Sequence, residues 1–192
     1  MKSLLLQVCC APCGTYTSYD RLAPRYDLTW YFCNPNLVSQ EEYDRRLEAV
    51  QIVATRFNWP LIVEPYEHKI WQTMACRRAA DPERGVRCQL CYHSRLAQTA
   101  RLAREKDFDM FGTTLLVSPY KDTTAILALG RGLADAAGPE FLVEDFQADD
   151  GYRRSQDMAR ELGLYRQKFC GCEYSLSPEL AKELALNQNN KL

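Results

Sequence analysis

The sequence predicts an α/β fold with a mainly parallel sheet flanked by helices. Two observations carry this reading: short apolar strand-like runs alternate with helical periodicities along the chain, and the first run opens directly onto a turn rich in Cys, Pro and Gly. Leu4 to Cys9 reads as a buried strand, followed by Cys10-Ala11-Pro12-Cys13-Gly14-Thr15 and an amphipathic segment to about Leu22. Leu28 to Cys33 is a second strand, stopped by Asn34-Pro35-Asn36. Ser39 and Glu42 form a capping-box pair ahead of Tyr43, Leu47, Val50, Ala54 and Phe57, which recur on one helical face until Pro60. Leu61 to Val63 is a third strand.

A short helix over Lys69 to Ala75 leads into a polar loop, Arg77 to Arg87, and then a long helix from about Gln89 to Lys106. Phe108 to Phe111 and Phe141 to Val143 read as strands on either side of a helix over Asp122 to Asp135. Tyr152 to Leu162 is helical, with Gly163 suited to end it in the left-handed conformation. Ser177 and Pro178 open a final helix, and Asn187 to Leu192 is expected to fray as a polar tail. No repeat and no linker-like shift in composition interrupts the 192 residues, so a single domain is expected.

Composition narrows the function. Hydrophobic residues make up 46% and charged residues 26%, which excludes a disordered or fibrous chain. No run approaches the roughly 20 apolar residues of a membrane span, and Gln7 interrupts the only N-terminal apolar run before it reaches signal-peptide length. A net charge of −1 argues against nucleic-acid binding through a globally basic surface and leaves only local basic patches. Nine cysteines, an odd number in a chain rich in aliphatic residues, point to metal binding or thiol chemistry in a reducing cytosol rather than to a disulfide scaffold.

The cysteines fall into three groups. Cys9, Cys10 and Cys13 stand at the end of the first strand, where an open α/β sheet places its ligand and where a helix N-terminus favours thiolate. Cys88 and Cys91 form a CxxC ahead of the long helix. Cys9, Cys10, Cys88 and Cys91 together make a four-thiolate candidate, compatible with zinc or with an iron–sulfur cluster. Adjacent cysteines suit a cluster better than one tetrahedral zinc. Cys13 is then a fifth thiol, available for a second metal or for the substrate. Cys170-Gly171-Cys172 would close a very short, strained disulfide loop, the mark of a redox switch or electron relay. Cys33 reads as packing, Cys76 has no evident partner, and His68 and His93 have no spaced partners.

Arg77, Arg78, Arg84 and Arg87 crowd the loop before the CxxC, and Arg153, Arg154, Arg166 and Lys168 crowd the approach to Cys170. The two groups read as a phosphate-binding rim, with Tyr120, Tyr152 and Tyr165 available to stack on bases. From the residues alone three functions compete: a metal-dependent oxidoreductase, a zinc-stabilised nucleotide-binding or hydrolysing protein, and a thiol–disulfide oxidoreductase using Cys170 and Cys172.

A family resemblance separates them. Cys9-Cys10-Ala11-Pro12-Cys13, Asn34-Pro35-Asn36, Arg87-Cys88-Gln89-Leu90-Cys91-Tyr92, Thr113 to Lys121, Asp150 to Ser155, and Gly163-Leu164-Tyr165-Arg166-Gln167 through Cys170-Gly171-Cys172 resemble, in order, the QueH type of epoxyqueuosine reductase. The resemblance implies an adenine-nucleotide α-hydrolase-like sheet and the last step of queuosine synthesis, in which an epoxide on the wobble base of a tRNA loses its oxygen. It further implies a [4Fe-4S] cluster on Cys9, Cys10, Cys88 and Cys91, an accessory iron near Cys13, and a redox-active pair at Cys170 and Cys172. Asn34, Asn36, Arg87, Ser118, Tyr120, Lys121, Tyr152, Arg154, Tyr165 and Arg166 are implied as substrate-binding residues. An electron donor is implied but not named.

Overall fold

In the computed structural model, which describes residues 1–182, five parallel strands form one sheet in the order β3-β2-β1-β4-β5. The strands are β1 (Ser3–Gln7), β2 (Asp27–Phe32), β3 (Leu61–Val63), β4 (Met110–Thr113) and β5 (Glu140–Phe141). Leu4, Leu5 and Leu6 of β1 have no exposed surface, because this strand is paired on both edges and covered on both faces. The chain builds outward from β1 to β2 and β3, then returns to the other side for β4 and β5. That reversal opens a crevice between the carboxyl ends of β1 and β4, the place where open α/β sheets bind ligands.

The helices are α1 (Ala11–Tyr16), α2 (Gln40–Phe57), α3 (His68–Ala75), α4 (Val86–Glu105), α5 (Thr123–Ala137) and α6 (Gly151–Glu161). The expected alternation of strands and helices is what the chain adopts, with several boundaries moved. β1 stops at Gln7 rather than Cys9: Val8 N–H still reaches the Tyr31 carbonyl at 2.9 Å, but Cys9 N–H turns to the Thr114 hydroxyl. The segment to Leu22 divides into α1 and a π-helical turn, Thr17–Leu22. Thr15 and Thr17 hydroxyls donate back to the Ala11 and Cys13 carbonyls at 2.7 and 2.6 Å, a pattern that bends helices.

α4 begins three residues early, after Gly85, so Cys88 and Cys91 lie within its first two turns rather than ahead of it. β4 begins at Met110 because Phe108 N–H still belongs to the end of α4, bonded to the Ala103 carbonyl at 2.9 Å. β5 is likewise shifted, to Glu140–Phe141. The capping box at α2 is only half formed. Ser39 accepts from Glu42 N–H at 3.2 Å, but the Glu42 carboxylate accepts from Arg46 Nε at 2.7 Å and from Tyr165 Oη at 2.8 Å instead of reaching back. Gly163 is left-handed as expected, with φ 63°, and residues 178–182 are helical with Ser177 as cap. The expected tail, Asn187 to Leu192, lies outside the described residues. Among those described, no helix is long and apolar enough to cross a membrane.

Candidate thiolate site

The end of β1 delivers three thiols to one point. Cys10 caps α1 in an extended conformation, Pro12 supplies a preset φ in the first turn, and Cys13 follows one residue later. The sulfurs of Cys9, Cys10 and Cys13 all lie within 4.8 Å of one another, and those of Cys9 and Cys10 are 3.7 Å apart. Sulfurs around one tetrahedral ion at about 2.3 Å stand about 3.8 Å apart, so the adjacent pair is close enough for both sulfurs to serve one metal centre. A soft, all-sulfur donor set of this size fits a thiophilic metal. Cys10 and Cys13 direct hydrogen bonds at Cys9, with Thr114 adding another at 3.4 Å, and this holds the Cys9 thiol well below its usual range. Cys13 is correspondingly pushed up, first by Cys10 and Cys9 and then by burial. Gln167 Nε2 donates to Cys10 Sγ at 3.0 Å.

A cavity of about 320 Å³ opens over this group. Of the residues singled out in the sequence, Cys9, Cys13, Ser118, Tyr120, Lys121 and Tyr152 line it, together with Arg166, Lys168 and Cys170. Cys170 comes from the far end of the chain on an irregular loop. Lys121 Nζ donates to its sulfur at 2.7 Å. Cys170 is held well below the usual thiol range, first by a hydrogen bond from Cys172, then by Lys121 and Arg46 against the effect of burial. Cys172 is raised, first by Cys170 and then by burial. All nine cysteines are free thiols.

Cys88 and Cys91 stand outside the compact three-sulfur group. Cys88 faces a smaller neighbouring cavity shared with Lys121, Cys170 and Cys172. Cys91 packs with Trp71, Ala75 and Cys172. The start of α4 thus brings Cys88 to the second cavity, and Cys170 and Lys121 line both.

The basic and polar residues separate by role. Arg87 is 4% exposed: its Nη1 donates to the carbonyls of Arg78, Ala79 and Asp81, and its guanidinium lies 4.5 Å from the Tyr174 ring centre. It braces the loop rather than facing solvent as part of a rim. Asn34 is similarly buried, donating to the Val8 carbonyl and accepting from Arg95, and Asn36 is buried beside it in sequence. Tyr165 donates to Glu42. Arg84 binds the Pro119 and Tyr120 carbonyls, Arg153 pairs with Asp150, and Arg154 stacks over Tyr16. Tyr120, 63% exposed, meets Tyr152 edge-on with ring centres 5.9 Å apart at the cavity mouth. Arg77 and Arg78 are exposed nearby in sequence to this loop.

Three side chains of the site have no role in the sequence reading, although Gln167 falls inside one of its motifs. Arg46 lines the cavity and donates to the Cys170 and Phe169 carbonyls at 3.1 and 3.3 Å. Gln167 touches Cys10, and Arg95 lines the same cavity. Helical spacing offered a signal: Arg95 lies one turn beyond Cys91 on α4, and Arg46 one turn beyond Glu42 on α2.

The family model described as QueH, epoxyqueuosine reductase QueH, matches residues 4–178. This chain belongs to that family. Among curated relatives, the epoxyqueuosine reductase QueH of Streptococcus pyogenes serotype M1 is 36% identical over 179 residues, covering 90% of this chain and 70% of the relative. That of Thermotoga maritima is 32% identical over 191 residues, covering 98% of this chain and 97% of the relative. That of Haemophilus influenzae is 32% identical over 176 residues, covering 91% and 72%.

Proposed function

We propose that this chain is an epoxyqueuosine reductase: it removes the epoxide oxygen from epoxyqueuosine at the wobble position of tRNA, leaving an alkene. Family membership supports the reaction, and one structural observation supports its place. The sulfurs of Cys9 and Cys13, the Cys170 sulfur and the Lys121 ammonium line a single cavity at the sheet's switch point. Cys9, Cys10, Cys88 and Cys91 are the residues that would hold a [4Fe-4S] cluster, with Cys13 available to an accessory iron. When bound, such a group supplies single electrons and a Lewis acid for the departing oxygen.

The chain's own residues supply the rest. Loss of the epoxide oxygen as water takes two electrons and two protons: oxidation of the Cys170 thiolate and the Cys172 thiol to a disulfide releases two electrons and one proton, and the Lys121 ammonium beside Cys170 holds the second proton. An external donor must then reduce the disulfide, as a reducing cytosol favours. Lys121 Nζ keeps a proton beside the Cys170 thiolate, inside the cavity. Tyr120 and Tyr152 form an aromatic mouth on which an unstacked base can rest. The wobble base already lies in a single-stranded loop, so little unpairing energy is required. Exposed Arg77, Arg78, Arg154 and Arg166 meet phosphates through a local patch, consistent with the near-zero net charge.

The test supplies reduced, iron-loaded protein with tRNA bearing epoxyqueuosine and measures the masses of the digested nucleosides. Loss of one oxygen from that nucleoside alone is expected. An epoxide left intact by iron-loaded protein across several electron donors would sink the assignment.

A further inference from the structure

Arg95 is a buried cation without a carboxylate. It sits on α4, is 3% exposed, and no acidic group among the described residues lies in ion-pair range of it. Its Nη2 donates to Asn34 Oδ1 at 2.5 Å, while its Nε has no hydrogen-bond partner. The other two buried arginines are compensated: Arg46 by the Glu42 carboxylate at 2.7 Å, and Arg87, whose Nε is also without a partner, by three carbonyls and an aromatic face. A guanidinium cannot shed its proton, so burial beside a single neutral amide leaves a charge that must be met by an anion.

The groups able to meet it are sulfurs. Arg95 lines the cavity with Cys9 and Cys170, stands one turn beyond Cys91 on α4, and bonds Asn34, the chain neighbour of Cys33. Cys33 is excluded as the anion, since it donates its proton to Gln98 Oε1 at 2.6 Å and burial pushes it up to about 11. One sulfur from each of the three thiol segments remains: Cys9 from the strand end, Cys91 from the CxxC and Cys170 from the CxC loop. Cys170 has a second cation in Lys121, whereas among the described residues no lysine or arginine donates to the sulfur of Cys9 or Cys91.

We propose that Arg95 is a positioning residue of the thiolate site, whose fixed buried charge offsets the negative charge that metal-bound Cys9 and Cys91 would bring and so sets the affinity and reduction potential of what is bound. The inference rests on the thiolate reading of the site given above. The rival is a structural tie, in which Arg95 merely fastens α4 to the loop after β2 through Asn34.

Arg95→Lys and Arg95→Gln separate the two, because both retain a donor for Asn34 and only lysine retains the charge. The full chain, metal-free and reduced, is titrated with Co²⁺ while the sulfur-to-cobalt charge-transfer band is followed. Arg95→Gln is expected to weaken cobalt binding about tenfold or more, the order expected of one buried charge, and Arg95→Lys to stay near the parent. After reconstitution with iron and sulfide, a potentiometric titration should find the Arg95→Gln centre harder to reduce than the parent. Should Arg95→Gln fold poorly, Asn34→Asp keeps the arginine but supplies the missing carboxylate, and it should weaken cobalt binding in the same way. Equal binding and potential in parent, Lys and Gln forms, or equal losses in both variants, would overturn the role of charge. Absence of a thiolate band in the parent protein would instead overturn the thiolate site itself.

Discussion

The sulfurs that meet in the cavity come from two regions held by opposite means. Cys9, Cys10 and Cys13 are fixed by backbone: they sit between a strand paired on both edges and the first turn of α1. Cys170 and Cys172 lie on an irregular loop held mainly by side chains, by the backbone bond from Val38 N–H to the Gly171 carbonyl at 2.8 Å and by a local one from Ser175 N–H to the Cys172 carbonyl at 3.0 Å. The first arrangement suits ligands that must not move. The second suits a dithiol that changes geometry whenever a disulfide forms or opens.

The strongest way to break the contrast is Cys10→Ser. If the N-terminal sulfurs are ligands, this change removes most bound iron and all turnover while the fold stays intact, as read by iron analysis and the nucleoside mass assay. Retention of full iron would mean that the backbone-held region is not the metal site.

Arg46→Met attacks the other region through its anchor. It leaves the Glu42 carboxylate, 3% exposed, without its cation, and breaking a buried pair this way costs about 3–5 kcal/mol. Urea denaturation should show that loss, and protein that remains folded should still bind iron. A smaller effect is expected of Gly171→Ala. Gly171 has φ 125°, and a Cβ there would come within 2.5 Å of Leu37 Cδ2, so about 1–3 kcal/mol of strain falls on the loop. Thiol titration should show slower interconversion of dithiol and disulfide, with iron content unchanged. Parent-like interconversion would show that the loop is less confined than its packing implies.

The smallest change sharpens the assignment of Cys170. Lys121 favours its thiolate, so Lys121→Met should shift iodoacetamide labelling of Cys170 to higher pH, and Lys121→Arg should largely restore it. Mass spectrometry of the labelled peptides reads the midpoint. An unmoved midpoint would leave Cys172 and Arg46 as the supports of that charge.

The backbone-held region was also the more legible in sequence. The apolar run Leu4–Leu6 followed by cysteines and Pro12 places the strand, the turn and the helix start without reference to anything distant. The side-chain-held region was not legible, because its supports lie far along the chain: Arg46 is 124 residues from Cys170 and Lys121 is 49. Glu42 shows how local reasoning fails. Its spacing from Ser39 fits a capping box, but a buried guanidinium one turn later is the stronger partner for a carboxylate. Arg87 looked like a phosphate ligand by its neighbours in sequence, and only burial reveals that its donors are taken by loop carbonyls. Strand ends moved by up to two residues because pairing stops where a neighbour's hydrogen bonds stop, which the chain's own pattern does not encode.

The placement of β1 at the centre of the sheet has a consequence for biosynthesis. Cys10 leaves the ribosome 160 residues before Cys170, an interval of about 8–30 seconds at ordinary rates of translation. During it the first strand lacks its β4 neighbour until that segment emerges, and the N-terminal thiols lack the wall that later encloses them. Metal loading before closure would find three open thiols; loading afterwards must pass the tyrosine pair at the mouth. Pulse-labelled chains released at increasing lengths would show at which point iron first stays bound.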